Sequence, residues 1–362
     1  MKMKHTPDRF DVLGLEVPII QAPIAGGATT PGLVAAVNHA GALGSLGAAY
    51  LKPEEIRNHI SQIRALTQRP FNVNLFAGGY RSEFTEDGTR MLEMLSDVHT
   101  RLGIPAPQLP KLPPDPFQAQ LDAVLEARPA VVSFTFGIPD AAQIDRIKAL
   151  GILIIATATT ADEAQCAERA GVDAVVAQGS EAGAHRGTFL DSFESSMVPT
   201  LELIEQIRRV CSVPLIASGG LMDGRDIAQC LRRGAMAAQL GTAFLACPES
   251  GISPSYKNAL LSAKSDRTVI TRAYSGRPAR GLKNQFIEEL RERGDIILPY
   301  PLQNSLTRPM RNAAALQGEI GFQSLWAGQG VARIRQMRAA DLVGTLAQEI
   351  HEACVGVLPT TF

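Results

Sequence analysis

The chain alternates short, continuously apolar runs with longer amphipathic stretches. The apolar runs occupy residues 17–27, 42–49, 71–77, 130–137, 151–158, 173–179, 213–220 and 235–244. Within each, apolar residues follow one another instead of alternating with polar ones. That pattern suits strands covered on both faces, as in a parallel sheet. Between the runs lie helical segments such as 31–40, 53–67, 161–170 and 225–233. The first two open on Pro31 and Pro53, at the helix position where a missing N–H does no harm. Eight β units joined by helical crossovers predict an α/β fold, a closed (β/α)8 TIM-type barrel. A doubly wound open sheet is the alternative.

Two stretches break the rhythm. Residues 78–128 are too long for one crossover and contain the proline-rich loop "GIPAPQLPKLPPDP" between helices near 90–101 and 117–126. Residues 248–330 mix helix and strand signals. Both read as additions at one end of the barrel. The expected division is a barrel from 1–77 and 129–247, a helical insert at 78–128, and a smaller substrate-binding or lid domain at 248–330. The 331–362 segment, amphipathic over 338–350, is expected to return to the barrel as its outer eighth helix. No solenoid repeat is present.

Composition narrows the partners. The 362 residues are 45% hydrophobic and carry 35 basic against 36 acidic side chains, a formal net charge of −1. There is no basic excess for nucleic acid. The cysteines, Cys166, Cys211, Cys230, Cys247 and Cys354, show no CxxC spacing and read as reduced, buried thiols, with no metal site expected. A polar start and the lack of a spanning apolar run make a cytoplasmic protein, with no membrane partner, the expectation.

In a barrel of this type the reactive face lies at the C-terminal strand ends. After the seventh and eighth runs come "SGGLMDG" and "QLGTAF". Gly219 and Gly220 let backbone approach a ligand, the helix starting near Asp223 offers free N–H groups, and Gly241–Thr242 offer more. Together they suggest a phosphate seat that needs no lysine, against the plainer reading of tight turns. Asn72, Asn74, Gln178 and Gln239 are amides within apolar strands, where an unbonded amide is costly. They suit the polar edge of a flat heterocycle, and a flavin carrying one phosphate, FMN, has that shape.

Six histidines are present. His5 lies in the polar start, and His39, His59, His99 and His351 read as solvated helix residues. His185 alone sits in a glycine-rich segment, "QGSEAGAHRG", at a reactive strand end, with Gly183 and Gly187 allowing the loop to curl. An imidazole there can accept a proton near neutral pH or hydrogen-bond an anion. Glu181 reads as a helix-dipole partner, and Arg186 reads equally as an anion partner or a surface residue. "GALGSLG" at 41–47 lacks the spacing and context of a dinucleotide fingerprint, so no NAD role is assigned to it.

Taken in order, "QAPIAGGATTP", "NVNLFA", "QGSEAGAHRGTF", "ASGGLMDG" and "QLGTAF" resemble nitronate monooxygenases, formerly called 2-nitropropane dioxygenases. "YPLQNSLTRPMR" and "SLWAGQG" resemble the class I branch. The resemblance runs from Pro18 to about Gly330. Flavin-dependent enoyl-ACP reductases carry a segment like that around His185, and "WAGQG" tilts the reading to the oxygenase.

The resemblance implies FMN in the barrel and oxidation of alkyl nitronates, such as propionate 3-nitronate, by O2 to a carbonyl compound and nitrite. It implies FMN contacts from Ala22, Pro23, Asn74, Gln178, Gly183, Gly219, Gly220, Gln239, Leu240, Gly241 and Thr242, with His185 catalytic. Tyr300 and Arg308 match substrate-binding positions, Arg308 standing where some members carry lysine. His185 would hydrogen-bond the nitro oxygens, or take a proton from a neutral nitroalkane. The expected partners are a small-molecule nitronate and O2, with a homodimer as an open option. The rivals are an FMN-dependent NAD(P)H reductase of enoyl thioesters or quinones on the same barrel, and a non-catalytic barrel binding a phosphate ligand.

Overall fold

The computed structural model describes residues 14–264 and 267–355. His5 lies outside them. Eight short parallel strands form the barrel: β1 (Ile19–Gln21), β2 (Ser45–Gly47), β3 (Asn72–Phe76), β4 (Val131–Thr135), β5 (Leu153–Ala158), β6 (Ala174–Gln178), β8 (Leu215–Ser218) and β9 (Ala237–Leu240). A two-residue strand, β7 (Ala184–His185), lies outside the ring. Neighbours run β1-β9-β8-β6-β5-β4-β3-β2. The circle is completed where Gln21 N donates to Leu43 O at 2.9 Å and Leu43 N donates to Ile19 O at 3.0 Å. The first and eighth apolar runs are longer than their strands. The eighth run continues past β9 into a one-turn helix, α9 (Thr242–Leu245).

The surrounding helices are α1 (Pro31–His39), α2 (Pro53–Leu66), α4 (Phe117–Ala127), α5 (Ala141–Ala149), α6 (Ala161–Ala170), α7 (Thr200–Arg208), α8 (Gly224–Arg232) and α14 (Ala339–Val355). Their apolar stripes and the outward faces of the strands share one core. Leu121 and Val124 of α4 lie in it, so the second helix of the 78–128 stretch is the crossover between β3 and β4. Leu342, Val343, Leu346 and Ile350 of α14 close the layer against α1 and α8.

The remaining elements build on the C-terminal rim. They are α3 (Thr89–Arg101), α10 (Pro254–Leu261), β10 (Thr268–Thr271), β11 (Ala279–Leu282), α11 (Gln285–Glu289), α12 (Leu302–Leu306) and α13 (Arg308–Gln317). Met91, Leu95 and Val98 of α3 pack with Tyr274, Phe286, Leu298, Leu302 and Met310 in a second apolar cluster. The addition therefore has a core of its own. It is tied to the barrel by a three-stranded antiparallel sheet, β10-β11-β7, whose edge strand carries His185.

Two expectations about single residues change. Cys211, Cys230 and Cys247 are buried, but Cys166 is only partly buried and Cys354 is exposed. Both sit on outer helices, where one flank faces solvent. His99 is not solvated: it is 3% exposed, with Nδ1 at 2.5 Å from the Pro105 carbonyl oxygen, because the proline-rich loop folds over the end of α3. No helix among the described residues is long and apolar enough to cross a membrane.

β6 and α7 meet without room for a side chain. A Cβ on Gly179 would lie 2.0 Å from Thr200 Oγ1 and 2.4 Å from Thr200 Cα. Gly179→Ala is expected to destabilise the fold by about 1–3 kcal/mol, the range for overpacking. It should lower the urea midpoint at an unchanged slope.

Candidate active site

The ends of β1, β3, β6, β8 and β9 open onto one cavity of about 460 Å3, a size suited to a small-molecule or cofactor site. Ala22 and Pro23 border it after β1, Asn74 in β3, Gln178 in β6, and Gly183 and His185 just beyond. Gly219 and Gly220 follow β8, and Gln239, Leu240, Gly241 and Thr242 line the β9 end. Arg308 stands at the mouth on α13. These residues, far apart in sequence, meet because parallel strands all end on one rim.

Tyr300 does not line this cavity. It stands behind His185, with ring centroids 6.2 Å apart, and borders an outer cleft together with Arg277. Burial and the neighbouring Tyr50 push its phenol above the ordinary range, so it stays protonated.

Three of the four strand amides reach the cavity. Asn74 Nδ2 donates to Ser133 Oγ at 3.0 Å. Gln178 holds its neighbours: Nε2 donates to the His185 carbonyl at 3.1 Å, and Oε1 accepts from Gly187 N at 2.8 Å. Asn72, two residues before Asn74 on the same face, sits one layer deeper. It donates to Ser45 and Ser133 hydroxyls and plays no part in the cavity.

The phosphate end differs from expectation in one element. The first turn of α8 is already occupied by carboxylates. Asp223 accepts from Arg225 N and Asp226 N, Asp226 from Met222 N, and Glu349 from Gly224 N. An added anion would find no free donors there and three negative charges. What remains is the backbone of Gly219, Gly220, Gly241 and Thr242. Gly219 (φ 138°) and Gly220 (φ 70°) adopt conformations that favour glycine.

His185 is on a strand rather than a free loop. It pairs with Ala279 of β11, and Ala184 before it is held at φ 61°, a rare conformation for a residue with a side chain. Gly183 serves close approach: a Cβ there would lie 2.6 Å from the Ala327 carbonyl carbon and the Gly328 nitrogen. The imidazole packs near Phe136 and Trp326, both with centroids 5.7 Å away, and its Nε2 lies 2.8 Å from Ser275 Oγ. Burial first, then the positive charges of Arg277 and Arg311, bring its pKa down to about 3. It is therefore neutral at physiological pH.

Arg186 is neither an anion partner nor a surface residue. It is 1% exposed and donates to the carbonyls of Gln178, Gly179 and Ser196. Glu181 acts as expected of a dipole partner, accepting from Thr200 N at 2.9 Å at the start of α7. Among the described residues no Asp or Glu lines the cavity, and the charged side chains in its lining are Arg308 and Arg311. They lie three residues apart on α13, hence on one face. Arg311 was not singled out from the sequence, although the i, i+3 spacing from Arg308 was visible. Trp326 lay within a quoted motif, and Ser275 and Arg277 within "YSGR", an ordinary turn signal.

Such a site defines a class: a parallel-barrel enzyme whose strand ends gather amides, glycine backbone and a neutral histidine around one cavity. The nitronate monooxygenase family model matches residues 10–349, and the chain belongs to that family of flavin-dependent oxidoreductases. A probable nitronate monooxygenase of Staphylococcus aureus (strain JH9) is 39% identical over 342 residues, covering 94% of this chain and 96% of the relative. The solved nitroalkane oxidase of Streptomyces ansochromogenes is 41% identical with a TM-score of 0.88, covering 96% of this chain and 99% of its own. FabK from Thermotoga maritima is 28% identical with a TM-score of 0.75, covering 98% and 99%.

The neutral histidine has a stability signature. An unfolded chain protonates this group near pH 6.5, and the folded chain does so only at about 3. Between those values the unfolded state holds the extra proton, so stability falls as pH is lowered through the window. His185→Gln cannot titrate. It should lose less of its urea stability between pH 7 and pH 5 than the parent, by on the order of 1 kcal/mol. Equal losses in the two proteins would show that His185 is not held neutral.

Proposed function

We propose that this protein binds FMN and oxidises alkyl nitronates bearing a carboxylate, such as propionate 3-nitronate, with O2 to a carbonyl compound and nitrite. The observation that carries the reading is the cavity itself. It has neutral amides and glycine backbone, a neutral histidine beside them, two arginines in its lining and, among the described residues, no carboxylate.

The donor set fits the cofactor. Asn74, Gln178 and Gln239 would meet the polar edge of the ring, and Gly183 and Leu240 its surroundings. Ala22 and Pro23 supply apolar wall. Backbone of Gly219, Gly220, Gly241 and Thr242 would hold the phosphate. Bound FMN supplies the two-electron acceptor that can then be reoxidised by O2.

The chain's own residues do the rest. Arg308 and Arg311 attract and orient the substrate carboxylate. Arg311 is fixed for this by Asn304, whose carbonyl and side-chain oxygens accept from Nη2 at 2.7 and 2.9 Å. His185 faces the reacting end. Phe136, Trp326 and Tyr300 exclude water around it, which strengthens electrostatic contacts inside. The insert and the 248–330 segment act together as the lid.

The purified protein is expected to show an oxidised flavin spectrum and to release nitrite from a nitronate in air. Anaerobically, the nitronate should bleach the flavin quickly and NADH should not. Rapid bleaching by NADH alone would overturn the reading in favour of the reductase. His185→Asn should keep its flavin and lose about a hundredfold or more in turnover, the usual weight of a positioned acid–base group. Arg311→Met should raise KM for propionate 3-nitronate by about tenfold or more, as expected on losing a charge-assisted hydrogen bond. It should leave KM for ethyl nitronate, which lacks the carboxylate, nearly unchanged.

A further inference from the structure

We propose that Ser275 is the positioning residue that fixes His185 in its Nε2–H tautomer and so presents the bare Nδ1 lone pair to the cavity. The proposal rests on hydrogen-bond counting. A serine hydroxyl has one hydrogen and two lone pairs. Ser275 Oγ lies 3.0 Å from the Arg277 carbonyl oxygen, which can only accept, so the hydroxyl hydrogen goes there. Arg277 N–H donates to the same oxygen at 3.3 Å. One lone pair of Oγ remains, and His185 Nε2 lies 2.8 Å away. Nε2 must then carry the ring hydrogen, and in a neutral imidazole Nδ1 is left without one.

The serine cannot easily turn to another partner. It is 1% exposed. The following residue, Gly276, is at φ 79°, and a Cβ there would lie 2.3 Å from the Leu298 carbonyl oxygen. Gly276 N donates to Arg272 O at 2.7 Å, and Thr307 Oγ1 donates to Tyr274 O at 2.6 Å. The turn 274–277 is thus held from both sides of Ser275.

The cations acting on the imidazole are those of Arg277 and Arg311, and its ring neighbours are Phe136, Tyr300 and Trp326, none of which offers a carboxylate to hold a proton on Nδ1. The neutral ring therefore accepts a hydrogen bond or a proton at Nδ1. It has no N–H left to donate to a nitronate oxygen, which revises the role expected from the sequence. The consequence for catalysis rests on the reading of His185 as the group facing substrate. The tautomer does not.

The test uses the flavin-loaded protein labelled with 15N-histidine, the His185 signals being assigned by their loss in His185→Asn. The expected spectrum at neutral pH shows a pyridine-type Nδ1 and a pyrrole-type Nε2. A pyridine-type Nε2, or two averaged nitrogens, would overturn the proposal, whatever the activity of the protein. In Ser275→Ala the two nitrogens should average, and kcat should fall about tenfold or more with flavin content kept, in line with losing a partner that orients a reactive imidazole. Ser275→Thr keeps the hydroxyl and should restore both the tautomer and most of kcat. An alanine variant with unchanged nitrogen signals and unchanged kcat would also overturn it. If the alanine variant does not fold, the spectrum of the unsubstituted protein decides.

Discussion

The guanidinium of Arg186 lies in the interior with no carboxylate among the described residues in hydrogen-bond contact, and its two Nη groups collect the carbonyls of Gln178, Gly179 and Ser196. Arg280 does the same for Ser180 O, with Nε at 3.2 Å and Nη2 at 2.8 Å. A buried charge is costly unless it is hydrogen-bonded, and here the chain's own carbonyls take the Nη donors of Arg186 while its Nε is left without a partner among the described residues. The result is a turn after β6 whose carbonyl oxygens are gathered inward by two cations. Gln178 is caught in the same net, since its Oε1 accepts from both Arg186 and Gly187 N. Its Nε2 donates one hydrogen bond to the His185 carbonyl. The position of the imidazole thus descends, through one glutamine, from a buried arginine.

His185 belongs to two bodies. By sequence it follows a barrel strand, and by hydrogen bonding it is the edge of the sheet that carries the rim addition. The same addition returns to the cavity at Trp326–Gly330. Gln329 N donates to Glu181 O at 3.0 Å, and Gly328 N donates to Thr242 Oγ1 at 2.9 Å. A Cβ on Gly330 would lie 2.4 Å from Gly220 O. One backbone segment therefore touches the turn after β6, the turn after β8 and the start of α9. The glycines of "WAGQG" are packing requirements across these turns, and their spacing records how closely two chain segments cross.

The barrel was legible because its signal is local: continuous apolar runs of strand length, with helices between. The cavity residues were legible because strand ends on one rim must meet. What sequence reading could not reach were contacts made at long range. The carboxylates that fill the first turn of α8 include Glu349, 125 residues away. Asn72 and Asn74 look alike in sequence, and only the depth of each in the barrel separates them. Arg186 reads as any loop arginine until the carbonyls around it are seen. Helix 117–126 was grouped with the insert on length alone, and its apolar stripe turns out to face the barrel. Ser275 gave no signal, because a serine before a glycine is an ordinary turn dipeptide.

The cavity's electrostatics draw these strands together. Arg308 and Arg311 repel each other across one turn of α13, and burial with that repulsion weighs against the charge of Arg311, brought down to about 10 despite the opposing effect of Tyr50. Its Nε is buried without a partner among the described residues. Arg277 adds a third positive group behind His185, stacked 3.8 Å over the Phe136 ring. With no carboxylate among the described lining residues, an anion entering this space would relieve repulsion and offset the positive charge that weighs against a proton on His185. Burial, and after it the charges of Arg277 and Arg311, keep the imidazole unprotonated, and a negative ligand would offset the second of these causes.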